Sequence, residues 1–351
     1  MIVKVNMKSI YDLTYEQLIA WTEVVAWKKY QAKQLFQWLY CHRVNSFEAM
    51  SDISIEKRAF LVDNFALKTV SLVTKQMSKD GTRKYLLKMA DGALVECVLM
   101  VYDYGKTICV SSQVGCNMGC VFCASGLLKK QRDLTAGEMV QQVLFVQKEL
   151  DEVNERVSHI VIMGSGEPFD NYDNVMDFTR IVNHDLGLAI GARHITISTC
   201  GIVPMIRRFA DEEVQYNLAI SLHAPNDELR SKLMPINKAY PLHELMDAIK
   251  YYAEKNNRRI TFEYILLEGV NDSDKCVKQL AELIRGLNAY INLIPYNHVD
   301  ENGFKKVDYR HAMTFYDALC KAHVKCTLRQ EHGADIDAAC GQLRAKHERK
   351  Q

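Results

Sequence analysis

The chain has 351 residues, with 44 Lys and Arg against 43 Asp and Glu, and 48% of its residues are hydrophobic. A net charge of +1 excludes a polycation that binds nucleic acid through its overall field, and no apolar run approaches the roughly 20 residues needed to span a bilayer. The length suits one large core with a small unit attached.

Residues 1–75 read as a helical N-terminal domain. Leu13, Leu18, Ile19 and Trp21 fall near helical spacing, as do Leu35, Phe36, Trp38 and Leu39, and Thr14 with Gln17 resembles a capping box. The start carries Asp12 and Glu16 without a continuous apolar segment, unlike a signal peptide, so a cytoplasmic protein with no membrane contact is expected. Residues 76–105 read as a linker hairpin. Ser78–Thr82 is a turn signal, and Arg83–Met89 pairs with Ala93–Met100 around Asp91-Gly92. From 106 to 351 the pattern alternates. Apolar, β-branched runs at 107–111, 159–163, 194–198, 216–222, 260–265, 291–295 and 324–328 are separated by helical segments at 136–150, 172–182, 204–209, 242–254, 274–287 and 309–322. Such alternation predicts an α/β fold, a parallel sheet with right-handed crossovers, open or curled into a barrel. Its active site belongs at the carboxyl ends of the strands.

Eleven cysteines, an odd count in a long chain, argue for reduced thiols rather than a disulfide scaffold. Cys41, Cys200, Cys276, Cys320 and Cys326 read as packing residues. Cys116, Cys120 and Cys123 differ: they crowd a Gly-containing loop directly after the first parallel strand. Three thiolates can hold three irons of a four-iron cluster and leave the fourth open. Structural zinc wants four ligands, commonly in paired knuckles, and only one close pair exists here.

The loop resembles the CxxxCxΦC signature of the radical S-adenosylmethionine (SAM) superfamily, with Phe122 as the aromatic. Nearly the whole chain is similar to the RlmN and Cfr family of ribosomal RNA adenine methyltransferases. The likeness is carried by Cys109–Cys116, Gly164-Ser165-Gly166-Glu167-Pro168, Ser221-Leu222-His223 and the family-specific Asp335–Leu343 stretch. The resemblance implies a radical SAM partial (β/α)6 barrel with a helical accessory domain, a [4Fe–4S] cluster on Cys116, Cys120 and Cys123, and two SAM per turnover. SAM contacts carry over to Gly166, Glu167, Ser198, Ser221, Leu222, His223 and Asn297. The family usually has Met where this chain has Ser165, and no loss of function is expected from that change. Taken alone, a Ser or Asn after a strand is more often a turn or cap residue.

The family's chemistry answers a specific difficulty. C2 and C8 of adenine are sp² carbons without nucleophilic character, so they cannot attack the SAM methyl group directly. The resemblance implies that Cys340 first accepts a methyl group as S-methylcysteine. A radical from a second SAM activates that group toward the base, Glu96 accepts a proton, and Cys109 resolves the adduct through a transient disulfide with Cys340. The implied substrate is C2 of adenosine 2503 in 23S rRNA, with adenosine 37 of tRNA as a further one; an external electron donor and a monomeric enzyme are expected. Two alternatives stay open: Cfr-type methylation of C8, which confers antibiotic resistance, and a non-catalytic metal-containing RNA-binding protein. Lys28, Lys29, Lys33, Trp27, Tyr30 and Trp38 form a plausible RNA docking surface, and Lys129, Lys130 and Arg132 stand beside the cluster loop.

Overall fold

A computed structural model describes residues 8–127, 129–297 and 302–330, and near the C-terminus residues 332, 333, 335, 336, 343, 344 and 347. The first elements are α1 (Tyr15–Val24), α2 (Lys29–Tyr40) and α3 (Ile55–Asn64). Thr14 and Gln17 complete both halves of the expected capping box on α1. Helices this short are marginal alone and are held by packing: α2 buries Leu35, Phe36, Leu39 and Tyr40 along one face.

Four strands follow: β1 (Val70–Met77), β2 (Arg83–Met89), β3 (Leu94–Tyr102) and β4 (Gly105–Cys109). The β2–β3 hairpin pairs as expected, Arg83 opposite Leu99. It continues the main sheet directly, through β4. β1 was not foreseen and starts inside the stretch expected to be helical. Apart from Val70 its residues are exposed or half-buried, so it carries no strong apolar alternation.

A ribbon of β5 (Gln113–Val114) and β6 (Arg132–Asp133) closes the base of the cysteine loop. Then come α4 (Ala136–Asp151), β7 (Val157–Ile162), α5 (Tyr172–Asn183), β8 (Ile195–Thr199), α6 (Val203–Asp211), β9 (Asn217–Ser221), α7 (Asp227–Leu233), α8 (Leu242–Asn256), β10 (Ile260–Leu266), α9 (Asp274–Leu283), β11 (Ala289–Pro295), α10 (Tyr309–Lys321) and β12 (Cys326–Leu328). The sheet order is β1-β2-β3-β4-β7-β8-β9-β10-β11-β12, antiparallel up to β4 and parallel beyond it. All seven expected parallel strands and all six expected helices are present; α7 is additional. Period-two alternation divides the strands. Ile160 and Ile162 of β7 are fully buried in the main core, while Val161 and Met163 face a second, smaller cluster with Cys109.

The helical unit docks on α4. Asp12 accepts a hydrogen bond from Gly137 N at 2.9 Å in the first turn, and Arg43 grips Asp151 with two bonds of 2.7 and 2.8 Å in the last. The first contact requires glycine, because a Cβ on Gly137 would lie 2.9 Å from the Tyr11 backbone. No helix among the described residues is long and apolar enough to cross a membrane.

Candidate active site

The cysteine loop is shaped from its base upward. Gln113, fully buried on β5, donates to Asp133 at 2.8 Å and Asp170 at 2.9 Å and accepts from Glu167 N at 2.9 Å. One side chain therefore ties the loop to the Gly164–Pro168 turn. Gly115 (φ 82°) and Gly119 (φ 67°) take the left-handed backbone that lets the loop fold back on itself. Val121 N donates to Leu233 O of α7 at 3.0 Å, and Phe122 packs edge-on against His223 at 4.8 Å.

Cys116, Cys120 and Cys123 are half-buried and line one cleft of about 340 Å3 at the carboxyl ends of the parallel strands. Burial pushes the Cys116 thiol up to about 11, and burial with the neighbouring thiols pushes Cys120 up as well. A bound metal is what would favour their thiolates. Three thiols in the wall of a cleft with an open mouth fit a four-iron cluster that keeps one iron for a substrate ligand.

The same cleft gathers Gly166, Glu167, Ser198, Ser221, His223 and Asn297. Gly166 has φ 107°, and a Cβ there would lie 2.8 Å from Gln113 N, so only glycine lets the turn rest on β5. Glu167 accepts from Phe169 N at 3.0 Å and Cys200 N at 2.7 Å. Burial raises its carboxyl and these bonds pull it back. Ser198 and Ser221 approach each other at 3.5 Å. His223 sits in left-handed backbone (φ 57°), its Nδ1 accepts from Ile265 N at 3.0 Å, and burial, then Arg230, press its pKa down to about 3, so the ring is neutral. Leu222 is separate: its side chain is in the main core, and only its backbone is turned to neighbours at this end.

Cys109 is buried against Val98, Met100, Val161 and Met163 and lines the same cleft. Glu96 lies one further step along the β3 face that carries Val98 and Met100. It is buried, 2.9 Å from Lys84 Nζ, and accepts from Arg344 N at 2.5 Å. Cys340 lies outside the described residues. Residues on both sides of it are anchored to the antiparallel strands and their turn: Gly333 N donates to Asp80 at 2.8 Å, Asp335 accepts from Ser78 and Lys79, and Arg344 meets Glu96.

Sequence reasoning missed three cleft residues. Cys200, read as a packing thiol, lines the cleft beside Glu167. Glu263 and Arg329 also line it; burial raises the Glu263 carboxyl, Arg329 opposes that, and Asn292 donates to it at 2.8 Å. Glu263 lay inside an apolar strand run, where a lone carboxylate was the only signal. The basic residues beside the loop are largely engaged. Lys130 pairs with Asp133 and Asp170 at 2.8 Å each, and Arg132 pairs with Asp91 and Glu138 at 2.6 and 2.7 Å; Lys129 is exposed. In the helical unit Lys28, Lys29, Tyr30 and Lys33 are exposed, whereas Trp27 stacks inward against Trp21 and Phe60 and Trp38 is bound to Asp52.

Comparison with known proteins agrees with this geometry. The model for the radical SAM superfamily matches residues 110–283, and that for the ribosomal RNA large subunit methyltransferase N-terminal domain matches residues 8–67. A Listeria welshimeri protein described as a probable dual-specificity RNA methyltransferase RlmN is 57% identical over 96% of this chain and 94% of its own. One from Enterococcus faecalis with the same description is 54% identical over 98% of each. The crystal structure of a radical SAM methyltransferase from Sphaerobacter thermophilus superposes with a TM-score of 0.92 at 42% identity, covering 95% of this chain and 98% of that one. A helical unit docked on a radical SAM core, with that core's three thiols in its cleft, places the chain in the RlmN family of radical SAM methyltransferases.

Proposed function

We propose that this chain methylates C2 of an adenine in RNA, namely adenosine 2503 of 23S rRNA and adenosine 37 of tRNA, by way of an S-methylcysteine at Cys340. The observation that carries the reading is the position of Cys109. Cys109 lies in the same cleft as Cys116, Cys120 and Cys123 but outside the apolar cluster that packs Cys200, and a second thiol so placed is what a radical methylation resolved by a disulfide requires. A [4Fe–4S] cluster on those three thiols would supply the electron that cleaves SAM. Glu167 and the Gly164–Gly166 turn offer a carboxylate and backbone carbonyls to the methionine ammonium. Ser198, Ser221, His223 and Asn297 form the rest of the SAM wall, and neutral His223 adds no charge against a cationic cosubstrate.

The Cys340 thiolate attacks the methyl carbon of one SAM, and S-adenosylhomocysteine leaves. The 5′-deoxyadenosyl radical left when a second SAM is reductively cleaved to methionine takes one hydrogen atom from that S-methyl group, and the resulting carbon radical bonds to C2. The adduct then gives up the C2 proton and one electron, which the cluster that supplied one would take back; Cys109 attacks the Cys340 sulfur, the disulfide forms as the carbon–sulfur bond breaks, and the departing carbon takes up a proton to become the methyl group of the base. Glu96 serves as proton acceptor only once its oxygen is freed from Arg344 N, so the carboxylate also anchors the carrier segment. A separate electron donor and a monomeric enzyme complete the proposal.

The test is anaerobic turnover with SAM, a reductant, and unmodified 23S rRNA fragments or tRNA, with nucleosides identified by mass spectrometry. 2-Methyladenosine supports the proposal, and 8-methyladenosine moves the chain to C8 chemistry. Neither product from a chain with an intact cluster refutes the substrate. Cys109→Ala should accumulate a covalent protein–RNA adduct on denaturing gels.

A further inference from the structure

Arg230 of α7 is the largest fully buried side chain among the described residues, with 0% exposure. Its guanidinium donates to Leu222 O from Nε at 3.2 Å, to Asn237 Oδ1 from Nη1 at 2.9 Å, and from Nη2 to Cys200 O at 2.7 Å and Ser221 O at 3.3 Å. Every one of these acceptors is neutral. Among the described residues no carboxylate forms an ion pair with it. Burial acts against its charge, which is partly supported by Cys200 and Cys120 and then by the exposed Asp227. A buried cation held only by neutral dipoles is costly unless an anion arrives.

The place where that anion would arrive is defined by packing. Cys200 belongs to a small buried cluster with Phe122, Leu233 and Met234, against which Cys120 and Cys123 pack. Leu233, three residues along α7, receives the hydrogen bond of Val121 from the cysteine loop. The guanidinium thus stands directly behind the wall that presents the cluster thiols. Three thiolates on a [4Fe–4S]2+ core leave a net negative charge, which deepens by one unit on reduction. A fixed cation behind that wall favours the reduced form.

We infer that Arg230 is a positioning residue for the iron–sulfur centre: its buried charge, which no direct ion pair neutralises among the described residues, offsets the anionic cluster and raises its reduction potential, so that an external donor can load the electron. The same hydrogen bonds clamp the carbonyl ends of β8 and β9, which carry Ser198 and Ser221. No bond is made or broken in this role. One electron passes from the donor to the cluster.

The inference rests on the cluster assignment, and its test needs neither SAM nor RNA. Wild type, Arg230→Gln and Arg230→Lys would be reconstituted anaerobically. Iron and sulfide content, thermal melting, and the midpoint potential from redox titration followed by electron paramagnetic resonance would then be measured. Arg230→Gln is expected to load iron with its midpoint shifted to more negative potential, and Arg230→Lys to stay close to wild type. An Arg230→Gln protein that is loaded and folded, with the wild-type midpoint, would overturn the inference. Should Arg230→Gln fail to fold, Arg230→Met, which fills the same dry volume without a charge, takes its place; the same negative shift is expected, and an unchanged midpoint in the loaded protein overturns the inference. Wild type that takes up no iron would overturn the cluster assignment itself, and the inference with it.

Discussion

Lys84 and Glu96 meet across β2 and β3 with 0% and 5% side-chain exposure. Removing one partner of such a pair takes a charge's counter-ion out of a dry site, at a cost of about 3–5 kcal/mol, whereas replacing both with apolar groups is close to neutral. Glu96→Leu is therefore expected to lower the thermal midpoint sharply, and Lys84→Met/Glu96→Leu to recover most of the loss. A double variant as unstable as the single one would show that Glu96 is held by its other contacts. His223 gives a second test at this scale. Its folded pKa of about 3 lies below the ordinary value of 6.5. Between those values the unfolded chain takes up a proton that the folded chain refuses, so stability present at neutral pH is lost as pH falls from 6.5. His223→Asn, which tolerates the left-handed backbone, should lose less urea resistance than wild type between pH 7.5 and pH 5. The residue scale is also where the sequence was least legible. Alternation alone could not say which face of β4 looks into the cleft, so Cys109 needed the family likeness, and the packing reading of Cys200, which its apolar cluster bears out, did not show that it also lines the cleft. That Cys116, Cys120 and Cys123 share one cleft was legible because their spacing on a Gly-containing loop has few structural alternatives.

At the scale of elements, the turn between β7 and α5 does the most for the site. Its backbone lies on β5 so closely that side chains on Gly164 or Gly166 would collide with Ser111 and Gln113. An alanine at Gly166 adds about 1–2 kcal/mol of left-handed strain to that contact. Gly166→Ala should accordingly weaken SAM binding by about tenfold or more, read by calorimetry on the reconstituted protein; unchanged affinity would mean that the turn does not touch the cosubstrate. The parallel strands and their helices were legible to within a few residues because the strands read as apolar, β-branched runs with one face buried in the main core. β1 and α7 were not. The first is largely exposed or half-buried, and the second has seven residues and buries chiefly Arg230 and Leu233.

For the whole molecule, a net charge near zero gave no guide to where RNA lies, and the structure narrows the choice by showing which cations are already paired. Lys130 and Arg132 hold the cysteine loop to Asp133, Asp170, Asp91 and Glu138. Lys129 is exposed beside them. Lys129→Ala should reduce the slope of log affinity against log salt by about one without altering thermal stability, whereas Lys130→Ala should disturb the loop itself. An unchanged slope for Lys129→Ala would move the RNA to another face, of which the exposed Lys28, Lys29 and Lys33 surface is the next to test.

Among the described residues the sheet that carries the site does not pair its first strand with its last, and both edges offer backbone groups to a foreign strand. Each is blunted in its own way. β12 is three residues long. β1 breaks register between Leu72 and Thr74 and binds Lys75 to Glu149 of α4 at 2.8 Å. A bulge and a pinned lysine make a poor template, so a chain that must keep its cleft open for a large nucleic acid does so without offering a straight edge on which aggregates could grow.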